Sequence, residues 1–326
     1  MCTSFTLQAE NQENFLARTM DFAFQLNGVP IVIPKGYTWQ TQLGVSESTR
    51  FGIIGTGRFT EECILVDGMN ETGLSVAELY FSNEAKYSEA LEKDKINLAP
   101  HEFILWMLGN IASVDELKTK IEQIHLIHAE ISLLSTVVPL HYIVTDRTGA
   151  CVVIETNRGL IEVKDNPLGI MTNSPELEWH LKNLSNYLSL TPTNYPSRNF
   201  LGYQVKPNGL GSGTAALPGG LSSPERFVRA VYLKEFIEKG ATRKETLNAI
   251  FHLLNNFTIP KGVMLEETHE PEYTQYRVAF SLTDLEYFFS PYETQEIFSI
   301  KLKDVLVNLE KPKIFEINKS FTVTQL

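Results

Sequence analysis

The second residue of the chain is a cysteine, Cys2, behind a single methionine. An initiator methionine is normally clipped before so small a residue. Clipping would leave a cysteine carrying both a thiol and a free α-amine. The α-amine has a reference pKa of about 7.7–8.0, near enough to neutrality to take the thiol proton and later hand it to a departing amine. One residue then supplies nucleophile and base, as an N-terminal threonine does in other enzymes. A penultimate cysteine can also be incidental, so its surroundings carry the argument. The stretch after the first turn ends Leu16-Ala17-Arg18-Thr19-Met20-Asp21-Phe22. A hairpin partner of the first strand can place Arg18 and Asp21 beside the terminus. A guanidinium there favours thiolate over thiol, and a carboxylate can orient an α-ammonium. A surface ion pair is the plainer alternative for the two.

The elements that must hold these groups are mostly strands. Ser4–Ala9 and Asn14–Thr19 flank a polar turn at residues 10–13. Ile64–Asp67 and Leu74–Glu78 flank Gly-Met-Asn-Glu-Thr-Gly, and His141–Thr145 and Cys151–Glu155 flank Asp-Arg-Thr-Gly, both hairpin signals. A buried helix is expected at Pro100–Leu108. Ser113 with Glu116 reads as a capping box opening a helix to about His128. Ser223-Pro-Glu-Arg226 opens another to about Lys239, and Thr242 with Glu245 a third. Strands return at Tyr276–Leu282, Glu286–Ser290 and Glu296–Leu302. Strand blocks, helix pairs and strands again indicate an α+β layered domain spanning residues 1–326. The turn-rich Lys206–Ser222 reads as a surface loop beside a cleft.

Composition narrows the function. The 326 residues are 43% hydrophobic and 21% charged, an ordinary globular balance. The net charge of −11 disfavours nucleic acid and anionic membrane surfaces as partners. Three cysteines without a CxxC pair make neither a disulfide framework nor a zinc site; Cys63 and Cys151, in apolar runs, are expected as buried small hydrophobes. The N-terminus lacks the basic and apolar regions of a signal peptide, and no window is apolar enough to span a membrane, so a cytoplasmic location is expected. His125 and His128, read as one helical turn apart, are expected on the surface rather than on a metal.

The opening Met-Cys-Thr-Ser with Ala17-Arg18-Thr19-Met20-Asp21-Phe22 resembles the N-terminal signature of the choloylglycine hydrolases, which include bile salt hydrolases and penicillin V acylases. The likeness continues through Asp67-Gly-Met-Asn-Glu-Thr-Gly73-Leu, Leu79-Tyr80-Phe81, Gly169-Ile-Met-Thr-Asn173-Ser-Pro175, Trp179-His180, Leu217-Pro-Gly219 and Ser223-Pro-Glu-Arg226-Phe227. The resemblance implies a four-layer αββα sandwich, two antiparallel sheets between helix layers. It implies Cys2 as nucleophile with its α-amine as base, flanked by Arg18 and Asp21. Asn173 and the backbone N–H of Tyr80 would be the oxyanion donors, and Arg226 a brace. Read without the family, Asn173 could be an Asx-turn residue and Arg226 an ordinary surface arginine, although an arginine opening a helix opposes the macrodipole.

The same resemblance addresses the substrate, a small N-acyl amide cleaved without metal or cofactor. Bile salt hydrolases usually carry Asn where this chain has Tyr80, and penicillin V acylases Tyr, so an aryloxyacetyl amide such as penicillin V is expected. A conjugated bile salt or an acyl homoserine lactone is the alternative, and a non-enzymatic small-molecule binding module the rival outside catalysis. By family position the acyl pocket would draw on Met20, Phe59, Val66, Leu134 and Leu140. The family's Pro-Gly-Asp stands here as Pro218-Gly219-Gly220, without that carboxylate. His180 is expected to be structural. Homotetramers, common in the family, are expected here too.

Overall fold

The structure is a computed structural model that describes residues 1–59 and 62–325. In chain order its main strands are β1 (Cys2–Gln8), β2 (Asn14–Phe22), β3 (Val29–Ile33), β4 (Ile53–Phe59), β5 (Cys63–Asn70) and β6 (Ser75–Tyr80). After helices α1 (Pro100–Asn110) and α2 (Val114–Lys120) come β7 (Leu140–Thr145), β8 (Cys151–Glu155), β9 (Glu162–Asp165) and β10 (Ile170–Met171). Helices α3 (Leu177–Asn183), α4 (Ser223–Phe236) and α5 (Arg243–Asn255) follow, then β11 (Tyr273–Ser281), β12 (Glu286–Pro291), β13 (Phe298–Lys301) and β14 (Lys313–Ile314).

Two antiparallel sheets result. One has the order β10-β1-β2-β11-β12-β13 and the other β9-β8-β7-β6-β5-β4-β3-β14. Period-two alternation divides their side chains between two cores. Phe15, Ala17 and Val153 belong to one core, which also takes Phe227 of α4 and Ile250 of α5. Ile53, Val76, Val144 and Val152 belong to the other, closed by Phe103, Trp106 and Leu117 of α1 and α2. The layers are therefore α4/α5, six-stranded sheet, eight-stranded sheet and α1/α2, the expected αββα sandwich.

Local chemistry explains most of the boundaries. Gly73 closes the β5–β6 hairpin at φ +86°, where a Cβ would strike the Leu282 carbonyl. Thr242 and Glu245 form the reciprocal capping box of α5. At α2 the Ser113 hydroxyl accepts from Glu116 N–H, but the Glu116 carboxylate turns to Ala112 N–H instead. That helix ends at Lys120, short of the expected His128. Ile124–Leu126 pairs instead in parallel with Ile96–Leu98, so His125 lies on a strand. The segment 206–222 is largely an exposed loop, and Arg229 of α4 pins it through the Pro218 and Gly220 carbonyls.

Candidate active site

Cys2 begins β1, and β1 pairs with β2 so that Cys2 faces Met20 and Ser4 faces Arg18. Arg18 is thus the diagonal neighbour of Cys2 on the face toward the other sheet, within reach of a long side chain. Its Nη2 donates to Cys2 Sγ at 2.9 Å. Nη1 donates to the Val66 carbonyl at 3.0 Å and meets Asp67 Oδ2 at 3.4 Å, and Nε donates to the Thr19 carbonyl. The guanidinium is completely buried. Burial alone would lower its pKa, but the opposing charges of Cys2, Tyr276, Asp67 and Asp21 outweigh that and hold it above its usual value.

The opposite face of the same strands is braced from the helix layer. Arg226, also completely buried at the start of α4, donates through Nη1 to Thr3 Oγ1 at 2.7 Å and to the Cys2 carbonyl. Its Nη2 donates to Asn173 Oδ1 at 2.7 Å and its Nε to the Leu221 carbonyl at 2.8 Å. Burial pulls its pKa down to about 10, which leaves it cationic at neutral pH. Four fixed acceptors explain why an arginine opens this helix against the macrodipole. Asp21 accepts from Thr19 Oγ1 at 2.8 Å and from Thr274 Oγ1 across the sheet. Burial raises its pKa; the terminal ammonium, the Thr274 hydroxyl and Arg226 oppose the rise.

Asn173 joins the two sheets. Its Oδ1 accepts from Cys2 N at 2.8 Å, and its Nδ2 donates one hydrogen to the Tyr80 carbonyl at 2.8 Å, leaving the second free. Its backbone is clamped: Ser223 Oγ accepts from Asn173 N and donates to Asn173 O, both at 2.9 Å. His141 Nε2 lies 2.9 Å from the Thr172 carbonyl. His180 lies 3.1 Å from the Asn173 carbonyl and stacks on Phe227. Tyr80 pairs in register with Leu140 on β7, and Phe81 N–H donates to the Pro139 carbonyl. Successive peptide groups point to opposite strand edges. Tyr80 N–H and C=O therefore both face away from β7, toward Asn173.

In the chain with Met1 in place, Cys2 N is an amide, and the terminal ammonium belongs to Met1. That ammonium donates to the Asp21 carbonyl at 2.9 Å and pairs with Glu272. Burial lowers its pKa from 8.0. Neither carboxylate oxygen of Asp21 bonds to Cys2 N; both go to threonines.

The thiol opens on a narrow pocket of about 50 Å³, walled mainly by apolar side chains. Met20, Val66, Leu134 and Leu140 line it. Phe59 does not: at the far end of β4 it lies against Tyr37 in the outer core. Sequence reasoning missed Phe22, which meets the Tyr80 ring at 5.0 Å between centroids, and also Phe24, Glu78, His101 and Ile131. Phe22 ends the Ala17–Phe22 motif and was open to the same inference; the others are brought in by strand pairing and α1. Gln275 fastens the Phe22–Leu26 segment, donating to the carbonyls of Phe22 and Phe24 and accepting from Leu26 N–H. Cys63 and Cys151 are half-buried rather than fully buried; desolvation pushes both thiols up to about 12, so they stay protonated. Among the described residues no group of three or more His, Cys, Asp or Glu side chains could hold a metal ion, and no helix is long and apolar enough to cross a membrane.

Two antiparallel sheets between helix layers, with a thiol at the end of a central strand, are the architecture of N-terminal-nucleophile hydrolases. The chain belongs to the linear amide C–N hydrolases of the choloylglycine hydrolase family, whose family model matches residues 2–315. A bile salt hydrolase/transferase of Lactiplantibacillus plantarum is 32% identical over 93% of this chain and 92% of its own. A variant of the conjugated bile acid hydrolase from Clostridium perfringens superposes with a TM-score of 0.93 at 27% identity, each chain covered completely. A penicillin V acylase of Pectobacterium atrosepticum is 24% identical over 93% of this chain and 81% of its own.

Proposed function

We propose that this chain, once Met1 is removed, is an N-terminal-cysteine amidohydrolase of penicillin V acylase type. The observation that carries the chemistry is the Cys2 thiol, 2.9 Å from the Arg18 guanidinium and in the wall of a mainly apolar pocket, with its own N–H held by Asn173 Oδ1. Arg18 stabilises the thiolate, which attacks the amide carbonyl carbon. The C=O electron pair moves to oxygen, where the free Nδ2 hydrogen of Asn173 and the Tyr80 N–H receive it. The Cys2 α-ammonium gives its proton to the leaving nitrogen as the C–N bond breaks. Water, deprotonated by the same amine, then hydrolyses the thioester to release the acid. Asn173 Oδ1 and Arg226 hold the terminus in place through these steps, and no metal or organic cofactor takes part.

The aryl-acyl preference rests on the Phe22–Tyr80 pair, which gives a flat ring an edge to pack against. A second reading, conjugated bile salt hydrolysis, is favoured by the names of the more similar relatives. Penicillin V, glyco- and tauro-conjugated bile salts and a long-chain acyl homoserine lactone, assayed side by side, separate these readings. A preference for the bile salts would overturn the first. Activity retained in Cys2→Ala, or in protein whose intact mass still includes Met1, would overturn the mechanism. The reading extends to a homo-oligomer: the exposed hairpin of Arg198–Phe200 and Tyr203–Val205 turns Phe200, Leu201 and Tyr203 to solvent, a surface suited to a second copy.

A further inference from the structure

The eight-stranded sheet is split beside the thiol. β5 and β6 pair only where Asp67–Met69 meets Ser75–Ala77. Beyond that the strands part, and the pocket enters the gap. Its wall takes Val66 and Leu79 from the intersheet core, and Ile64, Ile131 and Val138 from the core under α1. The passage therefore runs from Cys2 through the sheet toward α1. Along β6 the alternation that sends Ala77 and Leu79 to the intersheet side sends Glu78 to the α1 side.

Besides Asp21 and Tyr80 nearer the thiol, two polar side chains line this largely apolar passage toward α1. Glu78 is 7% exposed and His101, in the first turn of α1, is 5% exposed. Each keeps a buried polar atom without a hydrogen-bond partner, Oε2 of Glu78 and Nδ1 of His101. Among the described residues no cation forms a salt bridge with Glu78. Burial raises its carboxyl well above the ordinary range, Asp67 adds to the rise, and Arg18 only partly opposes it. Burial lowers His101 to about 4. Burial thus favours the uncharged form of each, a carboxylic acid with an O–H to give and an imidazole that can donate or accept. Unsatisfied polar atoms in a pocket wall destabilise the free protein. They become useful when a ligand supplies the missing partner.

We propose that Glu78, assisted by His101, is a specificity-determining residue that selects acyl groups bearing a hydroxyl, seated in the gap between β5 and β6. This rests on the amidohydrolase reading and adds to it the chemistry of the acyl group. A hydroxyl both donates and accepts, matching the two orphaned atoms, Glu78 Oε2 and His101 Nδ1. An ion of either sign would have to be desolvated in this largely apolar gap, and an ammonium would in addition feel the Arg18 guanidinium. A site built to hydrogen-bond a substrate hydroxyl discriminates strongly against the analogue lacking it.

The test uses amides of one amine, 6-aminopenicillanic acid, acylated with phenoxyacetic acid or its 2-, 3- or 4-hydroxyphenoxy analogues. In the wild type at least one hydroxy isomer should exceed the parent in kcat/KM by about tenfold or more. In Glu78→Leu that ratio should fall to about one or below, while Glu78→Gln, which keeps a donor and an acceptor, should retain part of it. Titration calorimetry of the free phenoxyacetic and hydroxyphenoxyacetic acids reads the same preference without turnover. A preference seen in binding but with no amide cleaved would overturn the amidohydrolase reading alone. A wild-type ratio near one in both assays, or one unchanged in a folded Glu78→Leu protein, would overturn the role assigned to Glu78.

Discussion

Replacing Arg18 by Met separates two jobs done by one side chain. The guanidinium neutralises Asp67, which is completely buried and, among the described residues, otherwise accepts from Thr56 N at 3.1 Å and Tyr276 Oη at 2.8 Å. Removing one partner of a buried pair leaves an uncompensated charge and costs about 3–5 kcal/mol. For a chain of this size, at about 2 °C per kcal/mol, the midpoint of thermal unfolding should fall by about 6–10 °C. The guanidinium also gives Cys2 Sγ a charge-assisted hydrogen bond at 2.9 Å. Such bonds contribute about 1.5–3 kcal/mol, so iodoacetamide should alkylate Cys2 about 10- to 150-fold more slowly at pH 7. The double variant Arg18→Met/Asp67→Asn removes the orphan charge; its neutral amide keeps one oxygen to accept from Thr56 N–H and turns its NH2 to Tyr276 Oη, which can accept. More than half of the lost midpoint should return, while alkylation and amide hydrolysis stay slow. If the double variant regained the hydrolysis rate, or the single variant alkylated within twofold of wild type, Arg18 would serve the fold alone and the assignment to thiolate would be wrong.

Three further outcomes follow from the same geometry. Asn173→Ala removes a proposed oxyanion donor and should cut kcat by about 10²–10³ with a much smaller change in KM; steady-state kinetics on penicillin V decides, and an unchanged kcat would remove Asn173 from the chemistry. Glu78→Gln should stabilise the protein, increasingly so with pH. The folded-state pKa of Glu78 is raised, so the native acid keeps its proton while the unfolded chain loses it above about 4.5; native stability is therefore eroded from that pH upward. The gain in melting midpoint should be smallest near pH 4.5 and grow as the pH rises above it, and a gain that does not change with pH would contradict a raised Glu78 pKa. Finally, Leu201→Asp places a charge at the fully exposed tip of the 198–205 hairpin. Sedimentation velocity should show the proposed homo-oligomer in the wild type and smaller species in Leu201→Asp; a wild type that sediments as a monomer, or an unchanged coefficient in the variant, would overturn association through this hairpin.

What could be read from the sequence was whatever short-range chemistry decides. The β5–β6 hairpin follows from turn residues between alternating strands, and α5 from a capping box satisfied by side chains three residues apart. Arg18 reaches Cys2 because one hairpin register makes them diagonal neighbours, which the order Cys2-turn-Arg18 already contains. The errors fall where distant chain segments decide. Ile121–His128 continued a helical pattern locally, yet pairing with Ile96–Leu98 draws Ile124–Leu126 into a strand. Phe59 matched a family position, but β4 carries it to the outer core rather than to the thiol. Glu78 is the most instructive case. In the sequence it only ends the expected strand Leu74–Glu78, and nothing marks it for the pocket. Only the cover of α1 and the parting of β5 from β6 turn it into a buried acid in the pocket wall. The Cys2–Arg18 contact is thus written in local order, while the pocket beside it depends on where the sheet opens, and a motif centred on Cys2 is silent about that.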